Sequence, residues 1–134
     1  MTAAEKGLER WHAAMAKGNR PSDLAEIIRE DAVFHSPVVH TPQEGRNLVV
    51  AYLAAAGQTL GNDSFTYIRE LVDGENAMLE FTTEMDGIHV NGVDIIRFDD
   101  EGMIADFKVM VRPLKAMNKV WERMAGQLQK SAQN

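Results

Sequence analysis

The stretch Asn76 to Pro113, NAMLEFTTEMDGIHVNGVDIIRFDDEGMIADFKVMVRP, leaves this chain few folds to choose from. Asp86-Gly87 and Asp99-Asp100-Glu101-Gly102 carry turn chemistry, and they divide the stretch into three runs rich in β-branched and aromatic residues. That is the pattern of consecutive antiparallel strands. Side chains alternate between faces along a strand. Leu79, Phe81, Thr83 and Met85 therefore share one side of the first run, and Met78, Glu80, Thr82 and Glu84 the other. On the third run Phe107, Val109 and Val111 separate in the same way from Lys108, Met110 and Arg112. The middle run does not sort so cleanly: Asp94 has the parity of Ile96 and Phe98, whereas Arg97 has that of Val93 and Ile95. Whichever face is buried, this strand carries a charge into it.

The flanking sequence supplies helices to cover the sheet. Thr2-Ala-Ala-Glu5 has the spacing of a capping box, and Leu8, Trp11, His12 and Met15 recur at helical intervals until Gly18-Asn19 stops them. Pro21 opens a short second helix with Leu24, Ile27 and Ile28 on one side, closing at Arg29-Glu30-Asp31. Ala32 to His35 reads as a brief strand that Pro37 ends, because proline has no amide hydrogen to pair. Thr41-Pro42-Gln43-Glu44 predicts the cap of a third helix over Asn47 to Ala56, with Leu48, Ala51, Tyr52 and Ala55 on one face and Gly57 as its stop. Phe65 to Val72 adds a fourth strand joined to the three through Asp73-Gly74. After Pro113 the period becomes helical, through Leu114, Met117, Trp121, Met124 and Leu128. Helices and antiparallel strands are segregated along the chain, the α+β class, and residues 1–134 read as a single domain.

Composition narrows the function classes. Cysteine is absent, which removes disulfides, thiol nucleophiles and thiolate zinc sites and suits a reducing compartment. No metal site is expected, since His35 and His40 have no third ligand at a recognisable spacing. The formal net charge is −6 with the basic residues scattered, so phosphate backbones are repelled and nucleic acid is not an expected partner. Met1-Thr-Ala-Ala-Glu-Lys6 has no apolar core of a signal segment, and no window approaches the ~18 consecutive apolar residues of a membrane span. A soluble cytoplasmic protein with no membrane association is the expectation.

With these elements in place the sequence resembles the nuclear transport factor 2-like superfamily, which includes ketosteroid isomerases and SnoaL-like polyketide cyclases. The resemblance rests on Ala32-Val-Phe-His-Ser-Pro-Val38 leading to Gly45 and the third helix, and on Val93-Asp-Ile-Ile-Arg-Phe-Asp-Asp-Glu-Gly-Met-Ile104 leading into the final strand. It implies a cone-shaped, curved antiparallel sheet wrapped by N-terminal helices around a deep pocket, with an extra C-terminal helix. It also implies that Trp11, Tyr52, Leu79, Phe81, Phe107, Val109 and Val111 line that pocket. Asp94 matches the isomerases' pocket aspartate, which is kept protonated and donates to a developing oxyanion. The isomerases' base is matched here by Ser36 and their helix-one phenol by Trp11, so the resemblance does not carry steroid isomerisation itself over. The cyclases' final-strand histidine and aspartate are matched by Phe107 and Val109.

Two functional readings follow. In the first, a cofactor-free isomerase, cyclase or dehydratase works by general acid and base on a small hydrophobic substrate, with Asp94 as acid or oxyanion donor, His35 or His40 as base, and Ser36 and Tyr52 as nearby polar groups. In the second, the chain is a non-catalytic dimeric binding module for a small hydrophobic ligand. On residue type alone His35 and His40 also read as solvent-exposed or hydrogen-bonded imidazoles, Trp11 as core, and Asp94 as a structural carboxylate in an ion pair or hydrogen-bonded to a loop amide. Met78, Val93, Ile95 and Met110 on the face opposite the pocket, interspersed with Glu80, Arg97, Lys108 and Arg112, predict an isologous homodimer through the outer sheet face.

Overall fold

A computed structural model describes residues 1–133 of the chain, with side chains as far as Gln129. Its elements are α1 (Ala3–Ala16), α2 (Pro21–Ala25), β1 (Ile28–His35), β2 (Gln43–Glu44), α3 (Arg46–Leu60), β3 (Thr66–Asp73), β4 (Asn76–Met85), β5 (Ile88–Phe98), β6 (Ile104–Arg112) and α4 (Leu114–Gln133). The strands form one six-stranded sheet in the order β2-β1-β6-β5-β4-β3. The three strands read from Asn76 to Pro113 are its centre and pair antiparallel. At the turn between β4 and β5, Asp86 and Gly87 adopt φ 52 and 80, the left-handed pair that a two-residue hairpin requires.

Two features depart from the uniform antiparallel sheet. β1 runs parallel to β6, so the sheet is mixed. Register shifts interrupt the ladders between Ile28 and Val33, Tyr67 and Arg69, and Arg97 and Phe98. An extra residue on one strand bends it and increases local twist, which accounts physically for a sheet that curves without closing.

The curved sheet holds the core on its concave side. Ala77, Leu79, Phe81, Thr83 and Met85 of β4 are buried there, as are Ile96, Phe98, Phe107 and Val109 of the next two strands. α1 lays Leu8, Trp11 and Ala14 on this face, and its predicted capping box forms: the Glu5 amide donates to Thr2 Oγ1 at 3.1 Å and the Thr2 amide to Glu5 Oε1 at 3.2 Å.

The helix boundaries differ from the sequence reading where tertiary pairing outweighs local signals. α2 ends at Ala25, because Ile28 is a fully buried β-branched residue that pairs with Ile104 in the sheet. Gln43 and Glu44 do not cap a helix; they pair with Phe34 and Val33, and α3 starts after Gly45 at φ 99 and runs past Gly57 to Leu60. α3 buries Val49, Leu53 and Ala55 and leaves Leu48 exposed, so its packed face is rotated from the expected one. α4 is rotated too. Ala116, Val120 and Met124 are buried while Leu114 and Trp121 are 72% and 47% exposed. α4 packs on α3 and the strands β5 and β6, and Lys119 Nζ reaches Asp86 Oδ2 at 3.5 Å, with Arg123 on the same carboxylate.

Candidate functional site

Along β5 the residues Gly92, Asp94, Ile96 and Phe98 face the concave side. A Cβ at Gly92 would lie 2.3 Å from the Phe81 ring, so the absence of a side chain there lets Phe81 lie flat over the strand. Next to it Asp94, 6% exposed, has Leu79 and Val109 as its cross-strand partners. The strand that carried a charge inward thus places it among apolar neighbours.

Asp94 lines a cavity of about 250 Å³ that lies between the sheet, the C-terminal ends of α1 and α3, and the start of β3. Its walls are mainly aromatic and aliphatic: Trp11, Phe65, Phe81 and Phe107 with Met15, Leu53, Leu60 and Val109. Phe65 packs on Phe81 at 5.0 Å between ring centroids, and Trp11 on Phe107 at 5.1 Å. Polar side chains line the cavity at three places, one of them the exposed Gln58 of α3. Another is a chain of donors: Trp11 Nε1 donates to Tyr67 Oη at 3.1 Å, and the Tyr67 hydroxyl, 3.3 Å from Met15 Sδ, donates to Asp94 Oδ2 at 2.9 Å. Asn19, at φ 54 just beyond α1, is the third.

Electrostatics follow from this packing. Burial disfavours the charged carboxylate and pushes Asp94 up to about 7, while the hydrogen bond from Tyr67 works in the opposite direction. Burial, then the neighbouring Asp94 charge, raises Tyr67 far above the ordinary phenol range, so it stays protonated as a donor. Asp94 Oδ1 has no hydrogen-bond partner among the described residues. The site therefore holds one carboxyl group that exchanges its proton near neutral pH, with one oxygen fixed by a phenol and the other available.

The sequence-predicted residues divide into two groups. Trp11, Phe81, Asp94, Phe107 and Val109 meet at the cavity. Leu79 is fully buried behind the wall, and Val111 is half-buried near the end of β6. His35, Ser36, His40 and Tyr52 are not brought to the cavity. On β1 it is Phe34 that points inward, against Phe107 and Tyr52; His35 takes the opposite face, where its Nε2 lies 2.8 Å from Asp106 Oδ1. Ser36 Oγ closes a local turn by accepting from the amides of Val38 and Val39 at 3.2 and 3.3 Å, and His40 is exposed. The phenol beside Asp94 is Tyr67 on β3 in place of Tyr52 on α3. Alternation in Phe65-Thr66-Tyr67 puts Phe65 and Tyr67 on one face, and that was the available signal. Asn19 carried only a helix-stop signal.

Among the described residues no helix is long and apolar enough to cross a membrane, and no three His, Asp or Glu side chains are grouped as metal ligands.

The sequence matches the SnoaL-like domain family over residues 8–107. In structure the chain is similar to a steroid delta-isomerase from Pseudomonas aeruginosa, at 34% identity and a TM-score of 0.91 over 100% of this chain and 97% of that one. It is also similar to an uncharacterized protein conserved in bacteria with a cystatin-like fold from Silicibacter pomeroyi DSS-3, at 28% identity and TM-score 0.79 over 87% and 81% of the two chains. A nuclear transport factor 2-like protein of unknown function from Mesorhizobium loti, at 24% identity and TM-score 0.68 over 82% and 93%, shares the fold. No curated protein matches the sequence.

Proposed function

The chain belongs to the SnoaL-like domain family of the nuclear transport factor 2-like superfamily, and on that premise we propose that it is a cofactor-free enzyme in which Asp94 moves a proton on a small hydrophobic carbonyl compound. The observation that carries this reading is the lone carboxyl in an apolar cavity, raised to about 7 and holding one oxygen free. Ionised, Asp94 takes a proton from the carbon beside a substrate carbonyl; protonated, it returns that proton at a different carbon, and the double bond shifts with no net gain or loss of atoms. Dehydration or ring closure uses the same transfer on a substrate with a leaving hydroxyl or a second carbonyl. Tyr67 acts through Asp94 as a positioning residue, and Trp11 in turn through Tyr67. The name of the Pseudomonas aeruginosa protein supports an unsaturated polycyclic ketone as the first substrate class to try. The resemblance matches Ser36 and Trp11 to the base and phenol of steroid isomerases, and on the present reading the proton chemistry falls to Asp94, positioned by Tyr67.

A second reading, a binding module without catalysis, is favoured by one observation: His35, the expected base, lies on the outer face against Asp106. Proton exchange separates the two. Cyclohex-3-enone and a 3-keto steroid with an unconjugated double bond are incubated with the protein in D2O and followed by NMR. Accelerated exchange beside the carbonyl that falls by 10²-fold or more in Asp94→Asn supports the enzyme. Binding of either ketone with no acceleration leaves the binding module standing.

A further inference from the structure

No basic side chain lines the cavity around Asp94: among the described residues its wall holds no lysine, arginine or histidine, and Asp94 and Tyr67 are the two that titrate. The side-chain oxygens that the fold encloses without a partner, among the described residues, are Asn19 Oδ1 and Thr59 Oγ1. Asp94 Oδ1 is not one of them. It lacks a hydrogen bond yet keeps accessible surface, on a residue only 6% exposed that lines the cavity. That oxygen therefore opens on the cavity.

The walls share its preference. An aromatic face carries negative charge density and attracts a cation. Tyr67 stands at 84° to both Phe65 and Phe81, and Trp11 at 54° to Phe107, so the rings form a box instead of a flat slot. A box of rings suits a compact, rounded head. α1 and α3 both end at this cavity, which Gly18 lines just past the one and Leu60 and Gly61 at the end of the other. Neither helix has a basic residue in its last turn, and Lys17 and Arg20, just past α1, are exposed and lie toward Asp23. The negative ends of two helix dipoles are thus left uncompensated beside the carboxyl. Volume sets the size: about 250 Å³ is the space of roughly eight waters, enough for one ring and a short head.

We propose that the cavity binds a hydrophobic ammonium, a single ring bearing a compact amine head, whose charge pairs with Asp94 Oδ1 inside the aromatic box. Asp94 pairs as the carboxylate and its proton leaves to solvent, so bound ammonium and proton transfer to a ketone exclude one another. The assignment rests, with the carbonyl reading, on the premise that Asp94 faces the ligand, and it adds a ligand class that switches that chemistry off. No other charge competes for the ammonium. Leu79 and Val109 on the flanking strands are apolar, and the side chains of α1 and α3 in the wall are uncharged. Tyr67 stays protonated, and beyond it His12 and Glu70 are paired with each other at 2.7 Å.

The test compares benzyltrimethylammonium with 2-methyl-1-phenylpropan-2-ol, an uncharged molecule of nearly the same shape. Binding to the full chain, with no ketone present, is followed at pH 6 and pH 8 through the indole N–H resonance of Trp11 in the cavity wall. Because Asp94 titrates near 7, the affinity for the cation should rise about tenfold between these pH values, and that for the alcohol should not rise. Asp94→Asn should bind the cation about tenfold more weakly at pH 8 and show no rise, while keeping the alcohol. His12→Gln, which removes the imidazole beside Tyr67, should keep the rise. The assignment is overturned if the affinity for the cation is flat across pH, if Asp94→Asn binds it as wild type does, or if the rise disappears in His12→Gln. Binding of the alcohol with the cation shut out also overturns it, and leaves the carbonyl reading intact. If neither compound binds at millimolar concentration the ammonium is again overturned, and exchange in D2O alone decides the carbonyl reading. Cation binding that follows Asp94 without any ketone exchange would support the ammonium and sink only the carbonyl reading.

Discussion

Asp94 and Asp106 stand on adjacent strands of one sheet, yet the two faces give the same side chain opposite surroundings. Asp94 points to the concave side, where its register partners are Leu79 and Val109 and its only hydrogen-bonding neighbour among the described residues is a phenol. Asp106 points outward, about a third exposed, opposite Arg97 and 2.8 Å from His35. Residue type therefore says little about a carboxyl's chemistry in this fold; the parity of its strand position decides whether it meets cations and water or aromatic rings. Asp99 extends the lesson. Burial works to raise its pKa, but the Met103 and Glu101 amides and the Arg29 guanidinium together hold it below the usual carboxylate range.

Substituting each face in turn tests that contrast. The largest expected effect is on catalysis: Asp94→Asn should lower proton exchange on a ketone substrate by 10²- to 10⁴-fold. Asp106→Asn should leave it within about twofold, as read in the same NMR assay. Equal losses in the two variants would erase the distinction.

Stability against pH comes next. The folded-state pKa of Asp94, about 7, lies above the unfolded value near 3.8, so the folded state binds the extra proton. Its contribution is fully present below about pH 4, declines as pH rises through the interval, and is lost above about 7. The decline amounts to roughly 4 kcal/mol. Asparagine is neutral throughout and still accepts from Tyr67. Urea unfolding at pH 8 should find Asp94→Asn more stable than wild type by roughly 4 kcal/mol, with the difference vanishing near pH 4. A variant less stable than wild type at pH 8 would mean that the native carboxylate is held ionised by a partner.

Smaller still is Tyr67→Phe, which removes the one hydrogen bond that favours the ionised form of Asp94. Its titration should move upward by about one unit, and stability should fall by about 1 to 2 kcal/mol as Trp11 Nε1 loses its acceptor. An unchanged pH profile of exchange would show that Tyr67 does not act on Asp94. On the outer face His35→Ala should cost under about 1 kcal/mol, as half-exposed pairs do, and leave the pH profile alone. That face also bears Leu71 and Met110, 55% and 49% exposed, beside Met78 and Val93. Its proposed role is self-association in pairs, and sedimentation at micromolar concentration should give twice the mass of one chain if that is right.

How much of this was legible in the sequence depends on which forces decided each element. The three central strands and their faces were readable because turn residues and period-two alternation act locally and agree with burial. So was the singular position of Asp94. The apolar spacing of Ile27 and Ile28 fits a helix as well as a strand, and only pairing with β6 settles it. Along α3 every residue from Leu48 to Ala56 is apolar, so periodicity could not choose the buried face; along α4 Val120 and Ala116 are buried in place of the larger Trp121 and Leu114. The site was half visible. Trp11, Phe81 and Phe107 followed from strand and helix phase, but Tyr67 needed the register of an irregular edge strand. Asn19 needed the distance between two helix ends, which no local pattern encodes. His35 lay one residue from the inward-facing Phe34, and in a strand one residue exchanges the cavity for solvent.

The account turns on the protonation of one side chain, and carboxyl-carbon NMR reads it directly. In protein labelled at the aspartate carboxyl carbons, the resonance absent from Asp94→Asn is followed from pH 3 to 9. The account predicts a midpoint near 7 for that signal. A midpoint at or below the ordinary aspartate value of about 3.9 would place an ionised carboxylate in the cavity and contradict it.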